Sequence, residues 1–146
     1  MYYNTIKYLN PNLYIIKKGG IMPSFGKKSL ERLAELDTKL QDILLEAIQI
    51  MDFSIICGQR GELEQNTAFN EGKSKLQFPN SKHNQSPSLA VDIAPYKAGI
   101  GIDWNDINSF ERLCGIIEGI ALMKDIKVRM GRDFKSFKDY PHFELV

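Results

Sequence analysis

The chain has 146 residues, of which 43% are apolar and 25% charged, the balance of a single ordinary globular domain rather than a fibre or a disordered tail. A net charge of +1 with no local basic tract removes the electrostatic case for nucleic acid, and no apolar run approaches the ~20 residues of a membrane span. Two cysteines, Cys57 and Cys114, do not make a disulfide framework, so buried free thiols and a reducing compartment are expected.

Residues 1–21 differ in composition from the rest of the chain: they are rich in Tyr, Asn and Lys, with a short strand expected at Leu13–Ile16. They are too polar, and broken by Pro11 too early, for a signal-peptide apolar region. Lys17-Lys18-Gly19-Gly20-Ile21-Met22 is compatible with the codons AAA-AAA-GGA-GGA-ATA-ATG, a purine-rich ribosome-binding site before a start codon. Residues 1–21 are therefore read either as a translated leader ahead of a natural start at Met22 or as a short N-terminal arm. Residues 22–146 are the working domain.

From Ser24 to Met51 the apolar period is helical. Leu30, Leu33, Ala34 and Leu36 form one stripe, and Leu40, Ile43, Leu44, Ala47, Ile48 and Met51 another, with Asp37 or Thr38 as a cap between them. Phe53–Cys57 reads as a buried strand that delivers Gly58-Gln59-Arg60-Gly61 at its end. Glu62–Asn70 is expected to hold a helical turn or two carrying Gln65, and Glu71–Lys82 an exposed loop. Leu89–Ala94 is a second strand, ended by Pro95. Asp92 interrupts its apolar run, and a carboxylate between Val and Ile on a buried strand must be paired, neutralised or bound to a metal. Gly99-Ile100-Gly101 is a turn leading to Ile102-Asp103-Trp104. Asp106–Lys124 is the clearest helix, Lys127–Met130 a third strand closed by Gly131, Arg132–Asp139 a charged loop and His142–Val146 a last strand. The expected fold is α+β: a small, mostly antiparallel sheet with helices packed on one face.

The chain has two histidines, His83 and His142. With Asp92 they offer the N and O donors of a zinc site that keeps one position open for water. Asp139, three residues before His142, is a candidate base, and Arg60 a candidate for stabilising an oxyanion or clamping substrate. Glu144 shares a strand face with His142, so it competes with Asp139 as base or supports the metal ligands. Lone histidines are more often core or surface residues than ligands, and lone Arg and Asp residues more often surface charges. Spacing by itself therefore leaves the assignment open.

Ordered motifs from about Pro23 onward narrow it. Gly58-Gln59-Arg60 followed by Gln65, Ser81-Lys82-His83 with Ala90-Val91-Asp92, and Asp139-Tyr140-Pro141-His142 resemble the zinc peptidases that cut peptidoglycan stem peptides. These comprise the VanY-like D-alanyl-D-alanine peptidases and the phage endolysins of L-alanyl-D-glutamate type, grouped with lysostaphin and the hedgehog N-domain by their metal site. Phe25-Gly26-Lys27-Lys28-Ser29 and the Ile102-Asp103-Trp104 region look closest to the endolysins.

The resemblance implies a hedgehog-like or D-Ala-D-Ala-peptidase-like fold and a Zn²⁺ held by His83, Asp92 and His142. It implies Asp139 as general base and then acid, Arg60 as stabiliser of the carbonyl oxygen or of a substrate carboxylate, and Gln65 and Ser81 at the substrate side, Ser81 in a supporting role. Residues 22–146 become a zinc peptidase catalytic domain cleaving L-alanyl-D-glutamate. A monomer is expected, with the stem peptide as partner, without nucleic acid or stable membrane insertion. It would wait in the cytoplasm for a holin-type release partner before reaching the cell wall.

Two departures bear on this. Asp92 follows His83 at a spacing two residues longer than the common pattern, with the extra residues in Asn84–Ser88, and Cys57 stands where relatives often have Gln. The alternatives are a D-alanyl-D-alanine carboxypeptidase or dipeptidase, and a non-catalytic zinc domain that binds the wall. The latter would need a further carboxylate such as Glu144 to close the metal shell, since both cysteines fall outside the metal motifs.

Overall fold

The structure, a computed structural model, describes residues 23–146, so the leader-or-arm question and the strand expected at Leu13–Ile16 lie outside the described residues. The first apolar stripe folds as α1 (Lys27–Ala34) and the second as α2 (Thr38–Ala47). Asp37 separates them, its carboxylate accepting from Lys39 N at 2.9 Å and so satisfying one of the free N–H groups at the start of α2. Leu30, expected in the core, is 40% exposed, so α1 buries a narrower stripe than its period suggested. Strand β1 (Phe53–Cys57), helix α3 (Glu62–Asn70) and strand β2 (Ala90–Pro95) come next. Helix α4 (Ile107–Met123) is capped by Asp106, which accepts from Ser109 N at 3.1 Å, and strands β3 (Val128–Met130) and β4 (His142–Leu145) complete the chain.

The four strands form one antiparallel sheet in the order β1-β2-β4-β3. Because side chains alternate across a strand, the register divides the sheet into two faces of different character. One face carries Phe53, Ile55, Val91, Ile93, Met130 and Phe143, all buried. Against it pack Leu33 of α1, Leu40, Ile43 and Leu44 of α2, and Leu113, Ile117 and Ile120 of α4. Helix α3 adds no apolar side chain to this core; its buried residue is Gln65. The architecture is thus the expected α+β sheet with helices on one face.

Strand β1 lies at an edge of the sheet, and α1 covers it. Ser29 Oγ accepts from Ile55 N at 3.0 Å and Arg32 Nη1 donates to Ile55 O at 2.7 Å, so the outward-facing groups of Ile55 are satisfied. Edge-on packing of Phe25 on Phe53, with ring centroids 5.2 Å apart, fixes the same junction. Gly99 and Gly101 take φ of +78° and +90°, the left-handed turn that closes the Lys97–Gly101 bridge.

Candidate metal centre and active site

The sheet face turned away from the core carries Asp92, His142 and Glu144. β2 and β4 pair with Asp92 opposite His142 and Ala90 opposite Glu144. β1 joins this face through an irregularity: Ile55 lies opposite Ile93, but Cys57 lies opposite Asp92, so Ile56 is an extra, bulged residue. The bulge turns the end of β1 toward Asp92. This corrects the placement of Cys57 outside the metal motifs, because its Sγ lies 3.9 Å from His83 Nδ1.

His83 arrives from a loop. Lys82–Asn84 form a 3₁₀ turn at the Ser-Lys-His motif, where the exposed loop ends. Ser81 caps it, its hydroxyl accepting from His83 N at 3.2 Å, while Asn84 Oδ1 accepts from Ser81 N at 2.9 Å. The turn docks on the segment after β1: Arg60 N donates to His83 O at 2.8 Å, and Asn84 Nδ2 donates to Arg60 O at 2.9 Å. Gly58, on the same segment, lets it pass close to the end of α1. A Cβ there would lie 2.8 Å from Glu35 Oε2 and 2.9 Å from Arg32 O, against the end of α1. The longer spacing between His83 and Asp92 is absorbed between this turn and β2.

Three donor atoms then face one another. His142 Nδ1 lies 3.0 Å from Asp92 Oδ1, His83 Nε2 lies 3.3 Å from the same oxygen, and the two nitrogens are 3.2 Å apart. Ligands of a tetrahedral ion with bonds of about 2.0–2.1 Å sit about 3.3 Å apart, so the triangle has the size of one face of such a shell. The remaining ring nitrogens are occupied: His83 Nδ1 lies 2.7 Å from Gly58 O and His142 Nε2 3.0 Å from Glu144 Oε2. With those nitrogens so held, His83 Nε2 and His142 Nδ1 are the atoms the two rings would offer to an ion at the centre, the arrangement in which outer partners orient metal-binding histidines.

Cys57, His83 and Asp92 also bring donor atoms within 4.8 Å of one another, a second potential cation set. Arg60 already serves it. Arg60 Nη2 donates to Cys57 Sγ at 3.6 Å and to Asp92 Oδ2 at 3.3 Å, placing a guanidinium between them. The imidazole edge facing Cys57 is the one committed to Gly58 O. The donor set that fits an ion is therefore His83, Asp92 and His142, and its mix of two imidazoles and one carboxylate suits zinc.

The cluster attracts positive charge. Burial disfavours a charged His83, yet contacts with Asp92 and Cys57 push it up to about 10. Burial opposes the charge on His142 as well, and Asp92 and Glu144 carry it up to about 9. Burial works against an ionised Asp92, but His142 and His83 hold its carboxyl well below the usual range. A divalent cation at the centre would meet the same demand for positive charge.

Asp139 sits at the rim. Burial first and the charge of Asp92 second raise its carboxyl, while His142, His83 and Arg60 pull it back. It begins the turn that ends at the third donor, with His142 N donating to Asp139 O at 3.1 Å. Gly131, read from sequence only as the end of β3, underlies this turn. A Cβ on Gly131 would lie 2.3 Å from Asp139 O and 3.0 Å from both Asp139 Cβ and His142 Cβ.

Gln65, expected at the substrate, is fully buried. Its Oε1 accepts from Arg60 Nη1 at 3.3 Å and Asn84 Nδ2 at 3.2 Å, and its Nε2 donates to Ser74 Oγ and Leu76 O. It reaches the site through Arg60 and Asn84. Ser81, 7% exposed, likewise acts as a cap beneath His83. Surface hollows of about 520 Å³ beside α1 and β1 and about 200 Å³ near Lys39 and Val146 include no residue of the cluster. Among the described residues no helix is long and apolar enough to cross a membrane.

Residues 22–146 match the family described as phage L-alanyl-D-glutamate peptidase. The chain is similar to the L-alanyl-D-glutamate peptidase of Escherichia phage T5, at 34% identity over 123 residues, covering 83% of this chain and 88% of that protein. Its fold is similar to that of the Serratia marcescens L-Ala D-Glu endopeptidase ChiX, with a TM-score of 0.74 and 24% identity, covering 88% of this chain and 94% of that one.

Proposed function

The chain belongs to the phage L-alanyl-D-glutamate peptidase family, and on that premise we propose that it hydrolyses the L-alanyl-D-glutamate bond of peptidoglycan with a zinc ion held by His83, Asp92 and His142. The observation that carries the metal assignment is the donor triangle of 3.0–3.3 Å, whose two imidazoles have their other nitrogens committed elsewhere. When bound, zinc supplies a Lewis acid for the scissile carbonyl and lowers the pKa of water toward about 7.

The chain's own residues do the rest. Asp139 takes the proton from the attacking water and delivers it to the leaving amine of D-glutamate. Its partial burial beside Asp92 makes it more basic than a free carboxylate and so better suited to hold that proton between the two steps. Arg60 offers five N–H donors and meets three acceptors here, Gln65, Asp92 and Cys57. Its spare donors are available to the carbonyl oxygen as negative charge develops, or to a substrate carboxylate. Gln65 and Ser81 act beneath this layer, one bracing Arg60 and the other shaping the turn that presents His83.

We read the protein as a phage-type lysin that acts on the wall as a monomer, after a holin-type partner has opened the membrane to it. Similarity to the phage T5 peptidase supports the phage-type part of that reading. The test of the activity is digestion of purified peptidoglycan with mass spectrometry of the new termini. New L-alanine carboxyl and D-glutamate amino termini are expected, and their loss with chelator. Release of D-alanine instead would replace this reading with that of a carboxypeptidase.

A further inference from the structure

The two imidazoles present different atoms to the same centre, His83 its Nε2 and His142 its Nδ1. For His83 the selection comes from a backbone carbonyl, Gly58 O. For His142 it comes from side chains that the catalytic reading leaves without a role. Glu144, 6% exposed, stands two residues along β4 on the same face, and its Oε2 lies 3.0 Å from His142 Nε2. Its other oxygen accepts from Arg129 Nη2, its cross-strand partner on β3. Arg129 Cζ lies 5.3 Å from the centre of the Phe134 ring, and that ring packs on His142 at 5.8 Å between centroids. The contacts close on themselves: His142 to Glu144, Glu144 to Arg129, Arg129 to Phe134, and Phe134 back to His142.

We propose that Glu144 and Arg129 are positioning residues that fix the tautomer and ring plane of His142, so that Nδ1 rather than Nε2 is the metal donor. Glu144 accepts the Nε2 proton, which leaves the lone pair on Nδ1. Arg129 holds the other oxygen of that carboxylate, and Phe134 packs against the His142 ring. All three act through His142. The effect therefore falls on metal affinity and on kcat, with KM unchanged. The inference rests on the zinc reading above, and the experiment separates the two.

Zinc affinity is measured by competition with a chromophoric chelator, and thermal midpoints are measured with and without zinc at fixed free metal. Outer-shell partners of metal histidines are worth about 10–100-fold in affinity. E144A is expected to lose affinity in that range, and E144Q, which keeps an acceptor for Nε2–H, to recover part of it. R129M tests the device without burying a defect, since the Arg129 side chain is 62% exposed. Removing one positive charge would by itself tighten binding of a cation, whereas loss of orientation weakens it; weaker binding, by about threefold or more, is expected. In each weakened variant the gap between zinc-loaded and zinc-free midpoints narrows, whereas a purely structural role lowers both midpoints together. Wild-type affinity in E144A, tighter binding in R129M, or parallel loss of both midpoints would overturn the proposal. Failure of the wild-type chain to bind zinc at all would instead remove the metal reading beneath it.

Discussion

Gly131→Ala tests how tightly the turn carrying Asp139 and His142 is held. The new Cβ would stand 2.3 Å from Asp139 O, where ordinary contact begins at 3.4 Å, so the turn must retreat by about 1 Å. The obstacle is backbone and cannot rotate away. The turn is also tied to Gly131 itself, through Asp139 N donating to Gly131 O at 2.9 Å. Gly131 has no left-handed φ, so the cost comes from space alone. Overpacking of this kind costs about 1–3 kcal/mol, which lowers the midpoint of a domain this size by several degrees. Displacing catalytic groups by about 1 Å costs on the order of 10²-fold in rate. The assay is kcat on solubilised peptidoglycan fragments, alongside the thermal midpoint and bound zinc. A folded Gly131→Ala protein with wild-type kcat and midpoint would show that the turn has slack and that this glycine does not set the base and donor together.

The same geometry makes further expectations concrete. Asp139→Ala should lower kcat by about 10²–10⁴-fold, the usual contribution of general acid–base catalysis, while zinc content by metal analysis stays at the wild-type level; loss of zinc with activity would make Asp139 part of the metal site. Asp106, held down to about 2 by Lys97 and by Ser109, caps α4. A depressed folded pKa gives stability that is complete above the unfolded value, 3.8, and fades as pH falls toward 2. The midpoint difference between wild type and Asp106→Ala should accordingly be full at pH 7 and shrink below pH 4; a constant difference would refute the electrostatic part. Burial pushes the Cys114 thiol up to about 11, so an aromatic disulfide reagent should leave it unmodified in the native protein and reach it after denaturation. Native modification of Cys114, located by peptide mapping, would contradict its place in the core.

The parts of this molecule that were legible from sequence are those set by short-range pattern. Alternation in His142-Phe143-Glu144-Leu145 already divides core from site, and the structure puts Phe143 at 0% exposure in the core, with His142 and Glu144 together on the other face. Asp92, conspicuous inside an apolar run, is compensated by two imidazoles and a guanidinium as its burial requires. Of the two candidate caps before α2 the structure uses Asp37, and the helix read from Asp106 begins one residue later, with Asp106 as its cap.

What escaped depends on contacts between distant segments. A bulge at Ile56 leaves no mark in composition, yet it decides that Cys57 faces Asp92. Gly131 and Gly58 are small because other parts of the chain pass close by, and neither neighbour is nearby in sequence. Gln65 read as a substrate residue because its position beside Arg60 was visible and its complete enclosure was not. Arg129 read as an ordinary strand residue, since only the β3–β4 register brings it opposite Glu144.

X-ray absorption at the zinc edge of the purified, zinc-loaded protein shows directly which atoms surround the ion. One zinc per chain is expected, in a first shell of about four N and O atoms near 2.0–2.1 Å, with two imidazoles among them and an oxygen in the open position. A sulfur shell at about 2.3 Å would place Cys57 on the ion, and a second carboxylate closing the shell would make the site structural. Either result would contradict a catalytic centre built on His83, Asp92 and His142.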